Sequence, residues 1–486
     1  MRILFLDIDT QRPDHFGCYG YHRDTSPNID KIASEGVRFD NYYVSDAPCL
    51  PSRAALVSGQ HGIKNGVVGH GGTAADMRLQ GYERGFRSDF SHNSLWNTLR
   101  KAGYWVASVS PFAERHSAWW FNAGFNEQIN TGKGGMESAE EVTPRVLDWL
   151  DHNADKDNWA LHINYWDPHT PYRAPEEFGN PFKDDPLPEW MTEDIIAEHN
   201  TLCGGHGSLE ISMFNDTENP NFPRQPGKCQ NLDDFRRMID GYDCGVRYAD
   251  DQVGKIVKKL EDAGILDDTA IIITSDHGEN LGELNSYAEH GTSDNITHRI
   301  PMIIRWPAGK KGIAAKGLHY NLDLAPTLAD LFEVDPWSGW DGRSYAKTLL
   351  EGEDCGHDFL ALGQCCHSCQ RSVRFGPWIY IRTLHDFYHL WPREMLFNIE
   401  EDPHEQHNLA EERPDICAQG ARLLLHWHED MMLQIPDAKD PMYTVMQEGG
   451  PLHSRGQLPT YCEYLKKTDR AEHAETLKAK YPGEFK

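Results

Sequence analysis

Three apolar runs, each ending in acid or histidine, restrict the possible folds of this chain more than any other feature of it. Residues 3 to 8 run into Asp9 and Thr10 with Asp7 inside the run, Trp159 to Tyr165 runs into Asp167-Pro168-His169, and Ala270 to Ile273 runs into Thr274-Ser275-Asp276-His277-Gly278. Short, nearly continuous apolar runs bounded by turn residues read as strands buried on both faces, the situation of a parallel sheet covered by helices. Open α/β sheets bind ligands beyond the carboxyl ends of their strands. If these strands are parallel neighbours, their polar ends converge on one site.

The segments between them have helical spacing. Ser26-Pro27-Asn28 leads into Ile29, Ile32 and Ala33, closed by Gly36, and Val37 and Phe39 open a further strand. Leu95 to Lys101 reads as a helix followed by a strand at 104–110; Thr143-Pro144 reads as the cap of a helix carrying Val146, Leu147 and Leu150. Val253, Ile256, Val257 and Leu260 form a helix stripe ended by Gly264. Residues 170–235, rich in Pro, Gly and Asn, form a long irregular excursion over the sheet edge, a candidate substrate rim. The expected fold class is α/β: a large mixed, mostly parallel sheet flanked by helices over 1–355. A smaller α+β domain over 356–486 contributes to the rim, with strand-like pieces at Ser372–Arg382 and Glu394–Ile399 and one helix around Gln419–Met431.

With 486 residues, 39% hydrophobic and 25% charged, the chain can bury a large core and divide it. A formal charge of -28 disfavours nonspecific nucleic-acid binding and offers no basic face to anionic lipid, while leaving room for a local cationic pocket. The apolar run at the start meets Asp7 after four residues, so it forms no signal h-region, and there is no membrane-length run elsewhere; a cytoplasmic location is the expectation. Eleven cysteines are too sparse for a disulfide scaffold. Cys365, Cys366 and Cys369 beside His367 lack a regular second ligand pair for zinc and read as reduced thiols. Oligomeric state is not encoded in any of these features.

Asp9, Asp276 and His277 offer two carboxylates and a neutral donor, a set for a hard divalent cation; spacing alone equally allows a helix cap and structural hydrogen bonds. His169 and His290 are further candidate imidazoles. Cys49 precedes Pro51-Ser52-Arg53 and the apolar Ala54 to Val57, which places it at a helix N-terminus where N–H groups face an anion.

Cys49-Leu50-Pro51-Ser52-Arg53, followed by Ala54 to Gly59, resembles the Cys-x-Pro-Ser-Arg signature of the type I, formylglycine-dependent sulfatases of the alkaline phosphatase superfamily. Companions occur in the same order: Asp9 to Asp14, Gly17 to Gly20, Pro27 to Asp30, Asp167 to Tyr172, Asp250 to Gly254, Ser275 to Glu279, Arg299 to Pro307, and Leu396 to Glu405. The resemblance spans roughly residues 2–410 and implies an alkaline phosphatase/sulfatase-like fold. It also implies oxidation of Cys49 to 3-oxoalanine (formylglycine) by a maturation enzyme, and a covalent route to sulfate ester hydrolysis. Carried over residue by residue, it implies one divalent metal, Ca²⁺ by family, on Asp9, Cys49, Asp276 and His277. Arg53 would oppose negative charge, and His169 would contact sulfate and protonate the leaving oxygen.

The chain also departs from the pattern. Asp9-Thr10 stands where most members have two aspartates, and Asp7 is a candidate supporting carboxylate on the same strand face. His277 stands where asparagine is common, as in the branch holding phosphonate monoester hydrolases. The Gly-Lys-Trp-His element is replaced by Ser110-Pro111-Phe112-Ala113, so His116 is the candidate base with Arg115 as a cation, and His290 replaces a later lysine that contacts sulfate. A saccharide rim is assigned to His70, Trp119, Trp120, Arg371, Arg374 and His385, aromatic faces for sugar rings and cations for a carboxylate or second sulfate. The expected substrate is a small sulfated saccharide, such as a glycosaminoglycan-derived mono- or disaccharide. The competing readings are a phosphonate monoester or phosphodiester hydrolase with the same site, and a catalytically silent sugar-binding protein.

Overall fold

A computed structural model of the protein describes residues 1–81, 88–435 and 438–485. In chain order its strands are β1 (Arg2–Ile8), β2 (Val37–Tyr43), β3 (Asp46–Ala47), β4 (Trp105–Val109), β5 (Glu127–Ile129), β6 (Trp159–Tyr165) and β7 (Thr269–Thr274). They continue with β8 (Asn280–Leu281), β9 (Tyr287–Glu289), β10 (Met302–Arg305), β11 (Ile313–Tyr320), β12 (Phe359–Gln364), β13 (Cys369–Phe375), β14 (Trp378–His385) and β15 (Glu394–Asn398). Eight of these form one sheet in the order β11-β2-β10-β7-β1-β6-β4-β5. Within it only β10 runs antiparallel to its neighbours. The three apolar runs are adjacent parallel strands: Asp7 on β1 lies opposite Asn164 on β6 and Thr274 on β7. Their polar ends therefore leave the sheet at the same edge.

One face of the sheet is covered mainly by helix Leu232–Asp262, 31 residues long. The stripe seen in the sequence from Val253 in fact begins at Phe235 and continues through Met238, Ile239, Tyr242, Val246 and Ala249, all buried. Asp243 and Asp250 interrupt the apolar pattern because they have partners of their own. Asp243 accepts from Arg23 and contacts His15, while Asp250 accepts from the backbone N–H groups of Asn28 and Ile29. Asp250 thus caps helix Pro27–Ser34, which has no local side-chain cap. The helix assigned to start at Thr143-Pro144 starts earlier, at Ala139, where Ser138 and Glu141 form a capping box; Pro144 lies inside it.

The second sheet has the order β15-β14-β13-β12-β3. The single strand-like piece Ser372–Arg382 is a hairpin, β13 and β14 turning through Gly376 at φ 49°. The one expected late helix is Pro414–Gln434, and three more follow, Pro441–Gln447, Leu458–Lys467 and Ala471–Lys480. β3 joins this sheet beside β12 and ends two residues before Cys49, so the second sheet is fastened directly to the segment that carries the candidate nucleophile. The excursion over 170–235 contains the short helix Glu193–His199, and its Cys203 and Phe214 pack with Phe387, Tyr388 and Tyr461. Among the described residues no helix is long and apolar enough to cross a membrane.

Candidate active site and metal centre

Helix Cys49–Ser58 is buried along its whole length, with Cys49 as its first residue. Arg53 lies four residues on, hence on the same face one turn later. Its guanidinium, fully buried, is a hub: Nε donates to Asp7 Oδ2 at 2.8 Å, one terminal nitrogen to Asp9 Oδ2 at 3.1 Å, and the other to Asp276 Oδ2. The cation also lies over the Phe112 ring at 4.7 Å and near that of Trp166. A buried pair is costly to dismantle, because either partner left alone is an uncompensated charge. Arg53 therefore holds the ends of β1 and β7 together with helix Cys49–Ser58.

Asp9, Cys49, Asp276 and His277 each present a ligand atom, all four within 4.8 Å of one another and all buried. Hydrogen-bond direction settles what those atoms offer. His277 Nδ1 faces the Gly278 carbonyl at 2.9 Å and His169 Nδ1 faces the Thr170 carbonyl; a carbonyl only accepts, so both rings donate from Nδ1. In the neutral rings Nε2 is then a bare lone pair, and each Nε2 is 3.9 Å from Asp9 Oδ1. Asp9 Oδ1 is buried without a hydrogen-bond partner. Acceptors gathered around an unpartnered carboxylate oxygen suit a cation, and a histidine whose Nδ1 is fixed by a backbone carbonyl is the usual form of a metal-ligating one.

The backbone contributes as well. Thr10 has φ 54°, unusual for a β-branched residue, and this turn aims its N–H at Asp276 Oδ1, 3.2 Å away. Such a conformation costs roughly 1–3 kcal/mol and is held by the structure around it. Burial raises the pKa of Asp276 to about 6, Arg53 opposing and Asp9 adding to the rise. For Asp7, burial acts upward too, but Arg53 and His162 outweigh it and hold the carboxyl below its usual value. Burial and the neighbouring Asp9 and Asp276 push the Cys49 thiol well above its ordinary value. This is the reverse of an activated thiolate and disfavours a cysteine-phosphatase type of chemistry.

The candidate histidines assemble here. His277 Nε2 is 3.1 Å from Cys49 Sγ, and ligand atoms of His169 and His290 lie within 4.8 Å of that sulfur and of each other. The ring of His290 is 4.1 Å from that of His277 and 5.2 Å from that of His169. His116, just after the short helix Phe112–Arg115, packs on Phe112 and on His70 at 5.2 Å, and its Nε2 has no hydrogen-bond partner. Burial, then Arg115 and Arg53, lowers its pKa to about 3, so the ring is neutral and able to accept a proton. Arg115 is exposed, stacked over Trp166 at 5.0 Å.

Most of the assigned rim lies elsewhere. Trp120 is a core residue, 1% exposed, against Phe112 and Phe121, and Trp119 packs against the same cluster. Arg371 pairs with Asp440 and stacks on Trp427. Arg374 donates to the Tyr43 hydroxyl and the Gly376 carbonyl. His385 packs among Tyr388, Tyr481 and Glu484. Each of these five is engaged in contacts of its own, whereas His70 packs on the candidate histidine His116. Cys365 and Cys369 have sulfurs 3.5 Å apart, no disulfide joins the cysteines, and His367 turns instead to Glu289. Glu289, His206, His367 and His453 stand beside the site unanticipated. The sequence marked them only through the Glu289-His290 pair and through His367 beside the cysteines at 365, 366 and 369.

Comparison with known proteins gives the site a context. The family model Sulfatase matches residues 2–334. Choline-sulfatase of Rhizobium meliloti (strain 1021) is 27% identical over 444 residues, 79% of this chain and 78% of that protein. N-acetylglucosamine-6-O-sulfatase of Bacteroides thetaiotaomicron is 25% identical over 412 residues, 72% of this chain and 71% of that one. A structure solved in complex with its substrate D-glucosamine-2-N,6-O-disulfate superposes with a TM-score of 0.69 at 19% identity, covering 90% of this chain and 99% of the other. The phosphonate monoester hydrolase of Agrobacterium radiobacter gives a TM-score of 0.66 at 18% identity, covering 88% and 96%.

Proposed function

Because the chain belongs to the sulfatase family, within the alkaline phosphatase superfamily, we propose that it removes sulfate from a small sulfated saccharide, with residue 49 as formylglycine. The observation that carries this reading is the convergence of Asp9, Cys49, Asp276 and His277 around an unpartnered carboxylate oxygen, under the Arg53 guanidinium. Asp9, Asp276, His277 and residue 49 would hold a divalent cation, Ca²⁺ by family resemblance. That cation and the formylglycine made by a maturation enzyme would supply an activated hydroxyl nucleophile and charge neutralisation of the sulfate.

The chain's own residues do the rest. Arg53 orients Asp9 and Asp276 through charge-assisted hydrogen bonds. His169 and His290, both within reach of the position of the Cys49 sulfur, contact the sulfate, and His169 delivers a proton from Nε2 to the departing oxygen. This requires His169 to be protonated when substrate is bound, since burial and the nearby Arg173 and Arg115 otherwise keep it neutral. His116 Nε2, free of any protein partner, receives the proton that is released when sulfate leaves residue 49. Saccharide specificity is supported by relatives that act on amino-sugar sulfates.

A phosphonate monoester or phosphodiester hydrolase is the second reading, favoured by the imidazole of His277 in the candidate ligand set. Two measurements decide. Mass analysis of the peptide holding residue 49 detects the aldehyde, and rates on sulfate monoesters, phosphonate monoesters and phosphate diesters rank the substrates. Sulfate esters slower than both others by orders of magnitude would reject the primary reading.

A further inference from the structure

A row of imidazoles leads away from the site. Half-buried His70, His116 and His453 stand at one end, and fully buried His290 and His277 at the other. Along it His453 stacks on His367 with centroids 4.2 Å apart, and His367 lies 5.9 Å from His290. One buried carboxylate orders the row. Glu289 has His206 Nε2 at 2.9 Å and both His290 Nε2 and His367 Nε2 at 3.5 Å.

A carboxylate facing Nε2 favours the tautomer with its proton there, which leaves Nδ1 as the acceptor. Nδ1 of His367 is buried with no hydrogen-bond partner in the protein, and the same holds for Nε2 of His70 and His116; Nδ1 of His290 faces Glu279 Oε2 at 4.0 Å. Water filling such a site would satisfy these nitrogens. A ligand that displaces the water must replace its hydrogen bonds or lose affinity. Hydroxyl or N–H donors do so; the methyl groups of choline and the ring of a simple aryl ester do not.

Resting on the sulfatase reading, we infer that His367, with its acceptor nitrogen set by Glu289, selects sulfate esters whose leaving group carries hydroxyl donors. His367 is the specificity-determining contact and Glu289 the positioning residue. Against donor-free esters the unmatched nitrogens discriminate, as sites built to bind a hydroxyl do.

The test compares kcat/KM for N-acetylglucosamine 6-O-sulfate, choline O-sulfate and 4-nitrophenyl sulfate in matured wild-type enzyme and in His367→Ala and Glu289→Gln. The ratio of saccharide to donor-free ester should fall about ten-fold or more in both variants, mainly through KM for Glu289→Gln. Glu289→Asp should recover part of the ratio. Titration calorimetry with N-acetylglucosamine itself reads recognition without turnover and covers a variant that is inactive but folded. Saccharide binding lost in His367→Ala, in a protein that hydrolyses no sulfate ester, would sink the sulfatase reading while leaving the saccharide contact of His367 standing. An active sulfatase whose ratio stays within about three-fold in both variants would overturn the inference alone.

Discussion

Replacing Arg53 with methionine should tighten the binding of a divalent cation while destroying turnover. In the cation-free protein the guanidinium is the positive charge between Asp7, Asp9 and Asp276, all three buried. Its removal strands those carboxylates, and breaking a buried pair from one side costs about 3–5 kcal/mol. With 486 residues and roughly 2 cal/mol/K of unfolding entropy per residue, each kcal/mol lowers the midpoint by about 1 °C, so a fall of about 3–5 °C follows. The same removal eliminates cation–cation repulsion. Two unit charges about 5 Å apart interact by about 3 kcal/mol at an effective dielectric near 20, and a fraction of that is worth roughly ten-fold in metal affinity. Calorimetric melting in chelator and in excess Ca²⁺ separates the effects: the variant should melt lower in chelator and gain more from Ca²⁺ than wild type does. Turnover should fall about 10²–10³-fold or more. A smaller gain from Ca²⁺ in the variant would refute the claim that these carboxylates converge on one ion.

Asp276→Asn should abolish both Ca²⁺-dependent stabilisation and sulfate release, and a melting shift equal to that of wild type would place the metal elsewhere. His116→Ala should lower turnover severely with metal stabilisation intact, and undiminished turnover would remove His116 from the chemistry. For Glu283, burial acts to raise the pKa, but Arg12 and His404 lower it to about 2 from 4.5. A depressed carboxylate stabilises the fold above its unfolded pKa and loses that contribution as pH falls toward the folded one. Roughly 2.5 pKa units correspond to about 3 kcal/mol lost between pH 4.5 and 2. Glu283→Gln should therefore be less stable at pH 7 and show a flatter acid limb in urea unfolding, and an unchanged slope would refute the assignment.

What could be read from the sequence followed the range of the signal. The apolar runs of β1, β6 and β7 are local and dense, so their adjacency and the meeting of Asp9, His169, Asp276 and His277 were legible. Helix Leu232–Asp262 was cut short because Asp243 and Asp250 carry long-range duties to Arg23 and to the helix at Ile29. The rim failed for a simpler reason. Arg371 and Arg374 both lie on β13, three residues apart, and side chains on a strand alternate faces, so the two could never line one pocket. Tryptophan and arginine are common in sugar sites, but residue type does not disclose whether Asp440 or Tyr43 already occupies the side chain. The Glu289 cluster was invisible because His206, Glu289, His367 and His453 come from four separated segments with no shared period.

The missing second aspartate at Thr10 is explained by counting charge rather than by matching motifs. Asp7, Asp9 and Asp276 are buried and directly bonded to one guanidinium, so the ionised group carries two negative charges beyond what Arg53 balances. One divalent cation cancels that excess. An additional carboxylate at position 10 would leave the centre negative and repel an arriving sulfate ester. Here Asp7, two residues earlier on the same strand face, takes up the arginine, and the imidazole of His277 faces Cys49.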